Sequence, residues 1–341
     1  MLLLFDFDET LTSHDTLSLI PGPPGPSGGG EQPRSFNDYA QLYMQDQEEH
    51  ARLHPQLSVD ANRTTRSAQF DWLAILEAVE KKSVDRVERG GLFKGWQPHE
   101  AEGRARDKVQ ARQGVEELGR WLCSMKQTEE GNDPEATRHF RTGIISVSWS
   151  RTFIAACLEH HAAGWKPDFI RANEVQTDEQ GKGTGKLSKL ADRGIRTGLD
   201  KLREMGEALE MQDRSAGQRN DLVVYAGDSN TDLPCLLAAS VGFVVVPPYS
   251  SSSTLHPSSL EKTIQRLGLS HRLARDGQEM EQWLQNGQRP RRIRQADMTR
   301  EAVETKADSD VWLVRVEDWH QGTKALERLS RWDREVAASN D

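Results

Sequence analysis

Asp6 and Asp8 stand one residue apart at the end of an apolar run, MLLLFDFDETLT, spanning Met1–Thr12. Two carboxylates placed so closely repel unless a cation lies between them or one keeps its proton. A strand alternates faces with period two, so both are expected on one side of the chain. A second acidic group follows far along the sequence in Asp221–Ala238, DLVVYAGDSNTDLPCLLA. There Leu222–Ala226 reads as a buried strand, Gly227 as a point where the chain turns sharply, Asp228 as the strand's carboxyl end and Asp232 as a helix start. Carboxylates gathered at the ends of two strands offer the oxygen-rich environment that a small hard cation such as Mg²⁺ prefers, with waters and a substrate phosphate completing its shell.

These two segments resemble the first and fourth motifs of the haloacid dehalogenase (HAD) superfamily of phosphohydrolases. DxDxT matches Asp6-Phe7-Asp8-Glu9-Thr10, and GDSxxD matches Gly227-Asp228-Ser229-Asn230-Thr231-Asp232. The second motif, a Ser or Thr ending an apolar strand, fits GIISVSWS at Gly143–Ser150, with Ser148 the best match. Trp149 and Ser150 follow where members related to phosphoserine phosphatase usually carry small glycines, so Ser146 and Ser150 stay open as alternatives. The third motif, a lysine at a helix start, fits Lys201 best; Lys189 is the runner-up and Lys186 a weaker candidate. Ala172–Gly185 resembles the hairpin that follows the second motif in the phosphoserine-phosphatase-like branch. The same glycines do not form a nucleotide-binding loop, because Gly181 to Lys186 lacks the spacing and Leu187 stands where Ser or Thr is needed.

The resemblance implies a Mg²⁺-dependent phosphomonoester hydrolase acting on a small phosphorylated metabolite. Asp6 would be the nucleophile that becomes an aspartyl phosphate, and Asp8 the acid that protonates the leaving oxygen and later activates water. The metal would be held by Asp6, Asp228 and, through its backbone carbonyl, Asp8. Ser148 and Lys201 would hold phosphate oxygens, and Asp232 would orient metal waters or Lys201 from behind. Two alternatives stand beside this reading: a HAD-fold protein retained for binding or regulation, suggested by the Ser148-Trp149 departure, and a phosphomutase or phosphotransferase.

Strands alternating with helices indicate an α/β fold: a Rossmann-like, mainly parallel sheet with ligands outside the strands' carboxyl ends and an inserted helical cap. The core is read as split between residues 1–14 and 111–250. Residues 15–110 are read as the cap, entered through a Pro/Gly-rich linker at 20–30, IPGPPGPSGGG, and carrying helical periodicity over Phe36–His54, Arg66–Val87 and Phe93–Lys108. Residues 251–310 are Ser-, Arg- and Gln-rich and weakly periodic, the pattern of a polar and partly disordered excursion. Residues 311–341 read as a strand and a helix packing on the core.

The 341 residues suffice for a sizeable core and a second small domain. A formal net charge of −9 disfavours nonspecific nucleic-acid binding, and the run Arg289-Pro290-Arg291-Arg292-Ile293-Arg294 reads as a solvated loop rather than a localisation or anion patch. Three scattered cysteines argue against a disulfide framework or zinc site. MLLLF lacks the length and basic lead of a signal peptide, and no segment approaches the length of a membrane span. The expected setting is the cytoplasm, with the nucleus also compatible. Oligomeric state is not legible in the sequence.

Overall fold

In the computed structural model, the residues described are 1–22, 34–132, 140–188, 193–216, 222–247 and 257–338. The chain opens with β1 (Leu2–Phe5), then runs through α1 (Phe36–Leu53), α2 (Pro55–Ser58), α3 (Arg66–Ile75), α4 (Glu77–Gly90), α5 (Pro98–Lys108) and α6 (Val115–Asn132). Next come β2 (Arg141–Ile145), α7 (Arg151–His161), β3 (Phe169–Arg171), the antiparallel hairpin β4 (Glu174–Thr177) and β5 (Gly183–Ser188), and α8 (Gly198–Ala216). Then follow β6 (Val223–Gly227), α9 (Leu233–Ala238), β7 (Val241–Val245), α10 (Ser259–Arg266), β8 (Leu273–Ala274), α11 (Gly277–Gln285), α12 (Arg300–Thr305), β9 (Leu313–Val316) and α13 (Trp319–Ala338).

Seven of these strands form one sheet in the order β3-β2-β1-β6-β7-β9-β8, and every pairing in it is parallel. This is an α/β fold. Parallel strands covered on both faces read as unbroken apolar runs, which is why β1, β6 and β7 lack alternation. Leu2 and Leu4 face a core layer that includes Leu202 of α8 and Leu236 of α9. Leu3 and Phe5 face the opposite layer, where Phe5 meets Trp165 and Trp319 edge-on at 5.5 and 5.4 Å. From β1 the chain crosses to β2 on one side and later returns to β6 on the other. The carboxyl end of β1 is therefore the crevice where such sheets bind ligands.

Local chemistry starts and stops the helices between β1 and β2. Ser35 and Asp38 make a capping box at α1, Thr65 caps α3, Pro98 opens α5, and Gly91 ends α4 in the left-handed conformation at φ 69°. The continuous periodicity over Arg66–Val87 proves to be two helices broken at Leu76, and the break changes their company. α3 packs on α8 and α12, whereas α4 packs on α1. α5 lies along α7. Hairpin β4–β5 joins the same region, with Gly95 donating to the Gly183 carbonyl and Gly183 to that of Trp96, both at 2.7 Å.

The polar stretch after residue 250 differs from its appearance in the sequence. Residues 257–310 hold α10, α11, α12 and the edge strand β8, and β9 threads between β7 and β8. Their helices are short and amphipathic, and Leu260, Ile264, Met280 and Val303 are buried, so few apolar residues suffice to dock each one. In the basic run, Arg291 pairs with Asp297 at 2.8 Å and Arg292 with Asp333. Part of the 20–30 linker lies outside the described residues. Among the described residues no helix is long and apolar enough to cross a membrane.

Candidate active site

Asp6 extends the β1 ladder by one residue, its N–H donating to the Ala226 carbonyl at 2.8 Å, and its side chain is buried. β6 runs alongside and delivers Asp228 just beyond its end. Asp232 precedes α9 and is wholly buried. One carboxylate oxygen from each of Asp6, Asp228 and Asp232 lies within 4.8 Å of the other two.

Lys201 sits among these acids. It enters from the first turn of α8, where Thr197 and Asp200 cap each other: Asp200 accepts from the Thr197 N–H at 2.9 Å, and the Thr197 hydroxyl accepts from the Asp200 N–H at 3.2 Å. That cap fixes the helix start and aims Lys201 inward. Its Nζ lies 2.8 Å from Asp6 Oδ1 and 2.7 Å from Asp232 Oδ1. Asp232 is further fixed by the Tyr225 hydroxyl at 2.8 Å and by the Ser229 N–H and hydroxyl at 3.1 and 2.8 Å. Gly227 does not serve as a positive-φ turn. A Cβ there would lie 2.3 Å from Asp232 Cγ, so glycine is required for room.

Asp8 is bound by the loop that follows it. Its Oδ1 accepts from the Thr16 N–H at 2.8 Å and from the Thr16 hydroxyl at 2.5 Å. Glu9, at φ 55°, turns the chain after it, and the Thr10 hydroxyl donates to Asp228 at 2.9 Å. The loop is secured from outside by Arg112, which donates to the carbonyls of Glu9 and Val246, and by the Trp319 indole, which donates to the Thr10 carbonyl at 2.8 Å. None of Thr16, Arg112 or Trp319 was legible as a site contact, because no local pattern marks a residue whose partner is remote.

Of the three candidate serines, two are already engaged. Ser150 caps α7 by accepting from the Phe153 N–H at 3.1 Å, and Ser146 accepts from the Ser148 N–H at 3.1 Å. The Ser148 hydroxyl is buried and has no hydrogen-bond partner among the described residues. A buried donor left in that state is costly, so it is poised for an acceptor from outside the protein. Lys186 is exposed on β5, and Lys189 lies outside the described residues.

The crowded acids repel one another, and a cation or a retained proton relieves that repulsion. Burial, then the Asp232 charge, pushes the Asp6 carboxyl well above its usual range, against the pull of Lys201. Burial, then Asp232, raises Asp228 to about 7 although Thr10 and Lys201 oppose the shift. Burial raises Asp8 to about 6 against its bonds from Thr16. Burial also opposes the charge on Lys201, but Asp232 and Asp6 outweigh it and hold the ammonium protonated. One lysine thus faces three converging acids, and an oxygen-only set of this kind suits Mg²⁺ rather than a softer metal. The residues present fit that ion.

No family model matches the chain. It is similar to a CTO1 family protein of Schizosaccharomyces pombe, 25% identical over 72% of this chain and 81% of that protein. Cold tolerance protein 1 of Saccharomyces cerevisiae is 23% identical over 74% of this chain and 80% of that protein. The mitochondrial bifunctional TH2 protein of Arabidopsis thaliana is 28% identical over 56% of this chain, and the match spans 28% of that longer protein. Among solved structures, a phospho-aspartyl intermediate analogue of phosphoserine phosphatase superposes with a TM-score of 0.39 at 17% identity, over 72% of this chain and 85% of the other. A HAD family hydrolase of Salmonella enterica serovar Typhi superposes with a TM-score of 0.38 at 16% identity, over 72% of this chain and 62% of the other. At that level of overlap the fold of this chain is read from its own sheet, and its chemistry from its own side chains.

Proposed function

We propose that the protein is a phosphomonoester hydrolase working through an aspartyl-phosphate intermediate on Asp6. The observation that carries this reading is the convergence of Asp6, Asp232 and Lys201, all buried, and the half-buried Asp228 at the carboxyl ends of β1 and β6. The motif pattern of the sequence supports it, as does the unpartnered hydroxyl of Ser148.

Asp6 attacks phosphorus, forming a bond from its carboxylate oxygen as the bond to the leaving alkoxide breaks. Asp8, raised by burial, gives its proton to that oxygen and then takes one from the water that cleaves the acyl phosphate. The Ser148 hydroxyl donates to a phosphate oxygen, and Lys201 offsets charge beside the nucleophile. Mg²⁺ bound by Asp6 and Asp228 would neutralise the charge of the phosphate and of the attacking carboxylate. Asp232 anchors Lys201 rather than reacting. The protein with Mg²⁺ is expected to hydrolyse acetyl phosphate and p-nitrophenyl phosphate, and chelation is expected to stop it. Turnover surviving in Asp6→Asn would overturn the reading.

A further inference from the structure

Between α1 and α4 on one side and the sheet's carboxyl edge on the other lies a cavity of about 350 Å³. Its core-side wall comes from the segments that carry the site. Asp15 and Leu17 flank Thr16, the partner of Asp8; Val147 and Trp149 flank Ser148; and Thr231 adjoins Asp232. The cavity therefore adjoins the segments that would hold the phosphate and its leaving group.

The rest of the lining is largely aromatic and carries the acid Glu80 and the cation Arg196, which pairs with Glu77 at 3.5 Å. Phe36, Tyr39 and Tyr43 line the cavity from α1, and Trp149 lines it from the segment after β2. Trp149 makes T-shaped contacts with Phe36 at 6.1 Å and Phe93 at 5.6 Å, so its ring is fixed in place. Glu80, half-buried on α4, accepts the Tyr43 hydroxyl, which in turn accepts from the Gln47 amide at 2.7 Å. Fixed ring faces favour a flat ring over an aliphatic chain, and a carboxylate beside them favours a ligand that donates.

We propose that the cavity selects phosphomonoesters whose alcohol carries an aromatic ring bearing an N–H donor, with Glu80 reading the donor. The inference rests on the phosphatase reading and gives it a substrate class. Burial raises the Glu80 carboxyl, against the Tyr43 bond and the Arg196 charge, so a further donor would favour its ionised form.

The test is calorimetric binding, with Mg²⁺ present, of methylphosphonate, benzylphosphonate and 4-aminobenzylphosphonate, run beside acetyl phosphate hydrolysis. The ring is expected to tighten binding at least about 10-fold over methylphosphonate, and the amino group to add a further preference that Glu80→Gln removes. The ring comparison uses the unmodified protein, so misfolding of the variant does not affect it. Acetyl phosphate hydrolysis without ring preference overturns this inference and spares the phosphatase reading. Ring preference without hydrolysis overturns the phosphatase reading and the substrate assignment with it, leaving only the cavity's ring selectivity, and absence of both removes both. An amino preference that persists in a folded Glu80→Gln removes the role of Glu80.

Discussion

Replacing Lys201 with methionine tests whether the site is held by charge. Its Nζ lies 2.8 Å from Asp6 and 2.7 Å from Asp232. At an effective dielectric of about 20, each contact is worth about 6 kcal/mol of attraction. Taking the ammonium out of water costs several kcal/mol, so the net effect is smaller. Removing one partner of such a pair strands the other charges in the interior, and Lys201→Met is expected to cost about 3–5 kcal/mol of unfolding free energy in divalent-free buffer. Proton uptake by one of the acids limits the loss. The variant site carries one more net negative charge than the original. Added Mg²⁺ is therefore expected to stabilise the variant more than the original protein, narrowing the gap. Urea titrations with and without Mg²⁺ measure both quantities. A loss below about 1 kcal/mol, or a Mg²⁺ effect no larger in the variant, refutes the electrostatic account.

Gly227→Ala places a methyl group 2.3 Å from Asp232 Cγ, and is expected to cost about 1–3 kcal/mol in urea titration and to abolish acetyl phosphate turnover by displacing the anchor of Lys201. Trp319→Phe keeps the ring packing but removes the 2.8 Å bond to the Thr10 carbonyl; about 1 kcal/mol of stability and a fall in kcat with KM little changed are expected from denaturation and steady-state kinetics. Lys306 donates to the carbonyls of Leu237 and Ala239 at 2.9 Å, and burial lowers its pKa from the ordinary 10.5 to about 8. Between those values the unfolded chain binds the proton that the folded chain has shed, so stability rises with pH across that window. Relative to Lys306→Met, the original protein is expected to gain on the order of 3 kcal/mol from pH 8 to 10.5, read by urea titration at each pH. A flat difference would refute it.

The positions of Asp6 and Asp228 were legible because each ends an apolar run long enough to be a buried strand and short enough not to be a helix. Lys201 was legible as a lysine at a helix start, and the Thr197-Asp200 cap that begins that helix was seen only in the structure. Burial on both faces left its mark as unbroken apolar sequence in β1, β6 and β7. These signals are local, since period, cap and strand end are written within a few residues of one another.

Other features depended on which distant segments meet. The break at Leu76 leaves the apolar period of Arg66–Val87 uninterrupted, yet it sends α3 toward α8 and α4 toward α1. The 251–310 stretch looked like a polar excursion because each helix in its described part, 257–310, buries only a few side chains, and β8 pairs along two residues. Ser148 was separated from Ser146 and Ser150 only by hydrogen bonds that engage the other two. Glu80 faces the cavity because α4 packs on α1, a contact that no local pattern encodes. Sequence alone determined which residues could carry charge at strand and helix ends, because backbone periodicity imposes that over short spans. Tertiary structure alone decided which charges meet, since close packing brings together residues that the chain keeps hundreds of positions apart.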